Sequence, residues 1–120
     1  MVVKAAPAHG VATFEAGGTV WSLKFGINAL CDLEFQIDDA EEVARLMAGT
    51  AGDPPAFSTI RAGFWAALRT FHAEVTLEEA GQLIDNIGMA RAGSLTAQAL
   101  IAAFPEADPQ RPSKAARKRA

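Results

Sequence analysis

The sequence is poor in the residues that most often carry chemistry. Its 120 residues include no tyrosine, a single cysteine and two histidines. One cysteine, Cys31, excludes an internal disulfide and any zinc site built from several cysteines. It also makes a reduced, cytosolic setting the default. No apolar run approaches the roughly 20 residues that a membrane-spanning helix needs. The opening Met1-Val-Val-Lys-Ala-Ala-Pro-Ala-His-Gly10 has one lysine and no long apolar core, so it does not read as a secretory signal. Hydrophobic residues make up 50% of the chain, which is too many for wholesale disorder. The length suits one domain and is too short for two full cores.

Charge is unevenly placed. The net charge of −3 hides two opposed regions. Residues 105–120 hold five bases (Arg111, Lys114, Arg117, Lys118, Arg119) against two acids, a balance of +3, and residues 1–104 hold six bases against twelve acids, a balance of −6. Pro105, Pro109 and Pro112 and the scarcity of large apolar residues predict a disordered basic tail over 105–120. Such a tail serves either as a solubilising extension or as a contact for nucleic acid or an acidic partner. Residues 1–9 read as a flexible N-terminus, leaving 10–104 as a single globular domain.

Within that domain the apolar pattern changes period. Val11 to Phe25 alternates and is interrupted by Gly17-Gly18, a pair suited to a two-residue turn with positive φ at both positions. That turn sets Ala16 opposite Thr19, Phe14 opposite Trp21 and Ala12 opposite Leu23. All six then share one face, with Thr13, Glu15, Ser22 and Lys24 on the other. From residue 26 the period becomes helical. Ile27, Leu30, Cys31, Leu33 and Ile37 predict a helix over 27–36 that buries Cys31 as an inert thiol rather than offering it as a nucleophile. Asp38 or Asp39 should cap a second helix, with Glu41 and Glu42 in its first turn and Val43, Leu46 and Met47 on its apolar stripe. Gly49 to Pro55 is a loop. Ser58 should cap a long third helix over 58–73 with Ile60, Phe64, Ala67, Leu68 and Phe71 inward. Thr76-Leu-Glu-Glu79 is a capping box, opening a fourth helix to Ile87 that turns Leu77, Ala80, Leu83, Ile84 and Ile87 inward. Ser94 or Thr96 should begin a fifth, with Ala97, Leu100, Ile101 and Phe104 on one side and Pro105 as its stop. The expected fold is therefore α+β: an N-terminal two-stranded hairpin followed by four or five short helices packed as one mainly helical domain.

Motifs for catalysis are missing. His9 and His72 belong to no zinc pattern and read as ordinary edge histidines. The acidic run Asp38-Asp39-Ala-Glu-Glu42 suits a helix start better than a calcium site, which needs oxygens converging from a looped backbone. Ala73 to Thr76 is too short for a calcium loop, Gly49-Thr-Ala-Gly52 lacks the lysine of a phosphate loop, and no G-x-S-x-G occurs. No catalytic, cofactor-binding or metal-binding residue is assigned, and the chain is read as not an enzyme. The strongest candidate for function is Trp65, which lies to the side of the third helix's apolar stripe beside Arg61, Arg69 and His72. A tryptophan between arginines can anchor a partner; alternatively, the helix is central and buries two faces.

Three segments give a resemblance. They are Leu23-Lys-Phe-Gly-Ile-Asn-Ala-Leu-Cys-Asp-Leu-Glu34, Ile60-Arg-Ala-Gly-Phe-Trp-Ala-Ala-Leu68 and Thr76-Leu-Glu-Glu-Ala-Gly-Gln-Leu-Ile-Asp85. In order and spacing, from Gly10 to Phe104, they resemble a small tail-protein family of gene transfer agents and related tailed prophages. This is the gene-product-ten type, labelled either phage tail tube protein or tail assembly chaperone. The resemblance implies a role in tail morphogenesis, in a bacterial cytoplasm or associated with the virion. One hairpin is little strand for a tube wall, which favours a chaperone for the long helical tape-measure protein, bound helix-in-groove. On that reading Phe64, Trp65 and Leu68, with Arg61 and Arg69, form the partner surface. Other tail proteins or a second copy of the chain are further possible partners. The alternatives are a structural tail subunit and, from the basic tail alone, a small nucleic-acid-binding regulator.

Overall fold

A computed structural model describes residues 10–49 and 52–104. Two strands, β1 (Ala12–Ala16) and β2 (Thr19–Leu23), are followed by five helices: α1 (Ile27–Gln36), α2 (Ala40–Ala48), α3 (Phe57–Leu68), α4 (Leu77–Ile87) and α5 (Met89–Ala102). The fold is α+β and mostly helical. The expected flexible N-terminus and basic tail, and the Pro105 stop, lie outside the described residues.

The hairpin has the register its sequence dictates. Gly17 and Gly18 take φ of 60° and 79°, and Ala16 pairs with Thr19, Phe14 with Trp21 and Ala12 with Leu23. Phe14 and Leu23 are buried beneath it. Two strands cannot stand alone in water. Phe14 therefore packs on Phe64 of α3, with ring centroids 5.4 Å apart. The end of β2 is tied to the same helix, since the Lys24 N–H donates to the Ala67 carbonyl at 3.1 Å. The Thr70 hydroxyl donates back to the Lys24 carbonyl at 2.6 Å.

Helix α3 is the centre of the molecule, touching β2 and each of the other four helices. Phe64 and Leu68 are wholly enclosed, with Leu46 of α2 and Leu100 of α5 against them in one core. The close approach is made possible by Gly63. A Cβ there would lie 2.7 Å from the Leu46 side chain and 3.0 Å from Thr96. Thr96, itself fully buried in α5, satisfies its hydroxyl by donating to the Ala92 carbonyl at 2.8 Å.

Helix ends separate local signals from remote ones. Asp39 caps α2 by accepting from the Glu41 N–H at 2.9 Å. Thr76 and Glu79 form the reciprocal capping box of α4. The start of α3 differs from expectation: Ala56, not Ser58, holds the cap position and has no side-chain acceptor. Glu42 of α2 substitutes from a distance. Its carboxylate accepts the Ala56 N–H at 2.9 Å and the Thr59 hydroxyl at 2.7 Å, and it pairs with Arg45. These bonds, led by Thr59, hold the Glu42 carboxyl below its ordinary value. The helix also stops at Leu68 rather than continuing to 73. The Phe71 and His72 N–H groups turn back onto the Leu68 carbonyl, which swings Phe71 outward, so it is exposed rather than in the core.

Helix α5 begins at Met89, not at Ser94 or Thr96. Gly88, at φ 98°, closes α4 and opens α5, so no side-chain cap marks the boundary. Phe104 is 43% exposed beyond its end. Cys31 is exposed, not buried as the apolar spacing suggests. Helix α1 lies chiefly against α3 and buries Ala29 and Leu33, leaving the row that contains Cys31 outward.

Candidate partner-binding groove

The proposed partner surface divides. Phe64 and Leu68 are core residues with no exposed surface, so they are corrected from contact residues to packing residues. The reading of α3 as a central helix buried on more than one face accounts for them. Trp65 is half-buried and its indole N–H donates to the Val75 carbonyl at 3.0 Å. The Arg69 guanidinium lies over its ring, 5.2 Å from the centroid. The same guanidinium meets Asp32 of α1 at 2.9 Å. Trp65 and Arg69 thus hold the end of α3 to the following loop and to α1. Arg61 is exposed on the other flank, beside Phe57, Leu77 and Met89. The five residues do not converge on one surface.

A different groove does. It lies between β2, the α3–α4 loop and α4, and encloses about 710 Å³. Trp21, Val75 and Leu83 give it an apolar lining, and Glu74, Glu79, Gln82 and Asn86 bring polar groups to it. Among the described residues, no lysine or arginine lines it. Trp21 is positioned by register: its ring stacks near Phe14 at 6.5 Å and its N–H donates to the Ala16 carbonyl at 3.3 Å.

His72 forms the joint between the hairpin and the loop. Its Nε2 accepts the Ser22 N–H at 3.2 Å, and its ring lies 4.8 Å from Trp21. An accepting Nε2 requires the neutral imidazole. Burial favours the same form, pushing the His72 pKa below its ordinary value. His72 is therefore a neutral, partly buried ring rather than an ordinary edge histidine. It closes the outer edge of β2.

Sequence reasoning placed Trp21 on the inner face of the hairpin but did not assign it a role. The usable signal was that the inner face carries two aromatics where a short hairpin has room to bury one. Among the described residues, no group of three or more His, Cys, Asp or Glu side chains could hold a metal ion, and no helix is long and apolar enough to cross a membrane. No family model matches the chain, and neither a curated protein nor a solved structure matches it.

Proposed function

We propose that this chain is a phage-tail morphogenesis protein of the gene-transfer-agent type, acting in the bacterial cytoplasm as an assembly chaperone for the helical tape-measure protein. The observation that carries the reading is the groove floored by Trp21, Val75 and Leu83. An open, apolar-lined channel along the flank of a helix suits an amphipathic helix laid into it. Carboxylates and amides around it, with no lysine or arginine among the described lining residues, favour an occupant whose apolar stripe is flanked by lysine or arginine. A tape-measure chain has long apolar helical stripes that need cover until the tube closes around them.

Strand content supports a chaperone over a tube subunit. A tube wall is built from extended sheets continued between neighbours, and here the only sheet among the described residues has two five-residue strands. The regulator reading rests on residues outside those described.

Co-expression of the full chain with a tailed-phage tape-measure protein tests the proposal. The expected result is a soluble complex, weakened by Leu83→Lys in a variant that keeps its circular dichroism. Failure to associate would overturn it. So would rings or tubes formed by the purified chain, together with its abundance in finished particles, which would make it a structural subunit.

A further inference from the structure

Opposite charges are gathered into two stretches of this chain. Residues 70–90, which run through the α3–α4 loop and α4, carry Glu74, Glu78, Glu79 and Asp85 and no lysine or arginine. Glu74 and Glu79 are exposed and line the Trp21 groove. Beyond Asp108 the chain carries Arg111, Lys114, Arg117, Lys118 and Arg119 and no acid. These bases lie outside the described residues, but the point from which they are strung does not.

That point is close to the groove. Helix α5 ends at Ala102, whose Cβ lies 3.8 Å from the place a Cβ on Gly10 would take. The Lys24 Nζ lies 3.8 Å from the same place. Helix α5 therefore finishes at the open end of the hairpin. Trp21 stands three residues back along β2 from Lys24, about 10 Å, which puts the end of α5 within about 25 Å of it. Chain extended as polyproline II covers about 3.1 Å per residue, so Pro109 and Pro112 reach about 22 and 31 Å beyond Ala102. Proline-rich segments dock in grooves lined by aromatic side chains, and Trp21 supplies such a side chain here. With Pro109 or Pro112 against Trp21, the bases from Arg111 onward pass Glu74 and Glu79.

We propose that residues 109–119 occupy the Trp21 groove of their own chain, with proline against Trp21 and the bases against Glu74 and Glu79, as a placeholder that a partner must displace. The proposal rests on the groove's preference for flanking bases argued above. A tether of this length gives an effective concentration of millimolar order, so even a contact of millimolar strength is about half filled. The segment offers Trp21, Val75 and Leu83 nothing larger than proline and alanine. It therefore yields to a helix that brings a full apolar stripe.

Paramagnetic relaxation in the full chain tests this, with a nitroxide attached through Ser113→Cys in a chain that also carries Cys31→Ser. At low salt, line broadening should concentrate on the Trp21 indole N–H and on the Val75, Glu79 and Leu83 amides. About 0.5 M salt, which shortens the screening length to about 4 Å, should remove most of it. Glu74→Lys should cut it at least twofold; Glu74 makes no part of the Thr76–Glu79 capping box, so α4 keeps its start. Broadening spread evenly over the surface, or centred away from the groove, would overturn the proposal. Broadening unchanged by both salt and Glu74→Lys would do the same. So would broadening found only on unlabelled chains mixed with labelled ones, which would give the groove to a second copy's tail. A synthetic amphipathic leucine–lysine peptide should relieve the broadening as it fills the groove. If the peptide fails to bind while the broadening holds, the tail keeps the groove and the chaperone reading falls.

Discussion

Helices α1 and α3 are both rich in apolar residues, yet they meet opposite fates. In α3, eight of twelve residues are buried, including Gly63, Phe64, Ala66, Ala67 and Leu68. In α1 only Ala29 and Leu33 of ten are buried, and its largest side chain, Phe35, faces outward. The difference is in neighbours, not composition. Helix α3 is surrounded by every other helix and by β2, whereas α1 packs chiefly on α3. Burial of one helical face removes from water only the residues on that face, so a similar share of apolar residues, six of ten in α1 and eight of twelve in α3, produces exposed surface in one place and core in the other.

Substitutions should separate the two regions sharply. The largest effect is expected at the centre: Phe64→Ala should cost about 3–5 kcal/mol in urea-unfolding free energy, through lost burial and a cavity that five packed elements cannot close. Next comes Gly63→Ala. Alanine ordinarily favours a helix over glycine by up to about 1 kcal/mol. Here its methyl would press into Leu46 and Thr96, both boxed in, so a net loss of about 1–3 kcal/mol is expected in the same measurement.

The pH dependence should be smaller still and should come from the joints rather than the core. His72 has a folded pKa below its unfolded value of about 6.5, so its contribution is complete above that value and declines as pH falls towards the folded pKa. The urea midpoint should drop between pH 7.5 and 5, and His72→Gln should flatten that drop. Glu42, also lowered, adds a second decline only below its ordinary value of 4.5. The smallest effect is expected on α1. Phe35→Ser should change monomer stability by less than about 0.5 kcal/mol, because the ring touches little to begin with. A large loss there would mean that α1 is part of the core after all.

How legible the fold was depended on where each signal resides. The hairpin register was readable because the Gly17-Gly18 turn and the strand alternation independently specify the same pairing. The start of α4 was readable because Thr76 and Glu79 lie three residues apart in sequence. The start of α3 was not, because its acceptor is Glu42, fourteen residues before Ala56. The start of α5 was hidden because a glycine backbone, not a side chain, makes the break. The candidate site was less legible than the fold. Periodicity shows that Phe64 and Trp65 point in different directions but not which elements arrive to cover them. Cys31 is the converse case: its stripe is apolar, and none of the described elements covers it.

The lock on β2 has a consequence for how the sheet can grow. Two of its outward N–H groups are already spent, Ser22 on His72 and Lys24 on Ala67. A further strand could therefore pair only along β1. A sheet open on one side can accept a neighbour but cannot hand the pairing on to the next, so it ends a chain of strands instead of extending it. Polymers joined sheet to sheet need a donor edge and an acceptor edge in every unit, and here one imidazole and one helix carbonyl have removed the second.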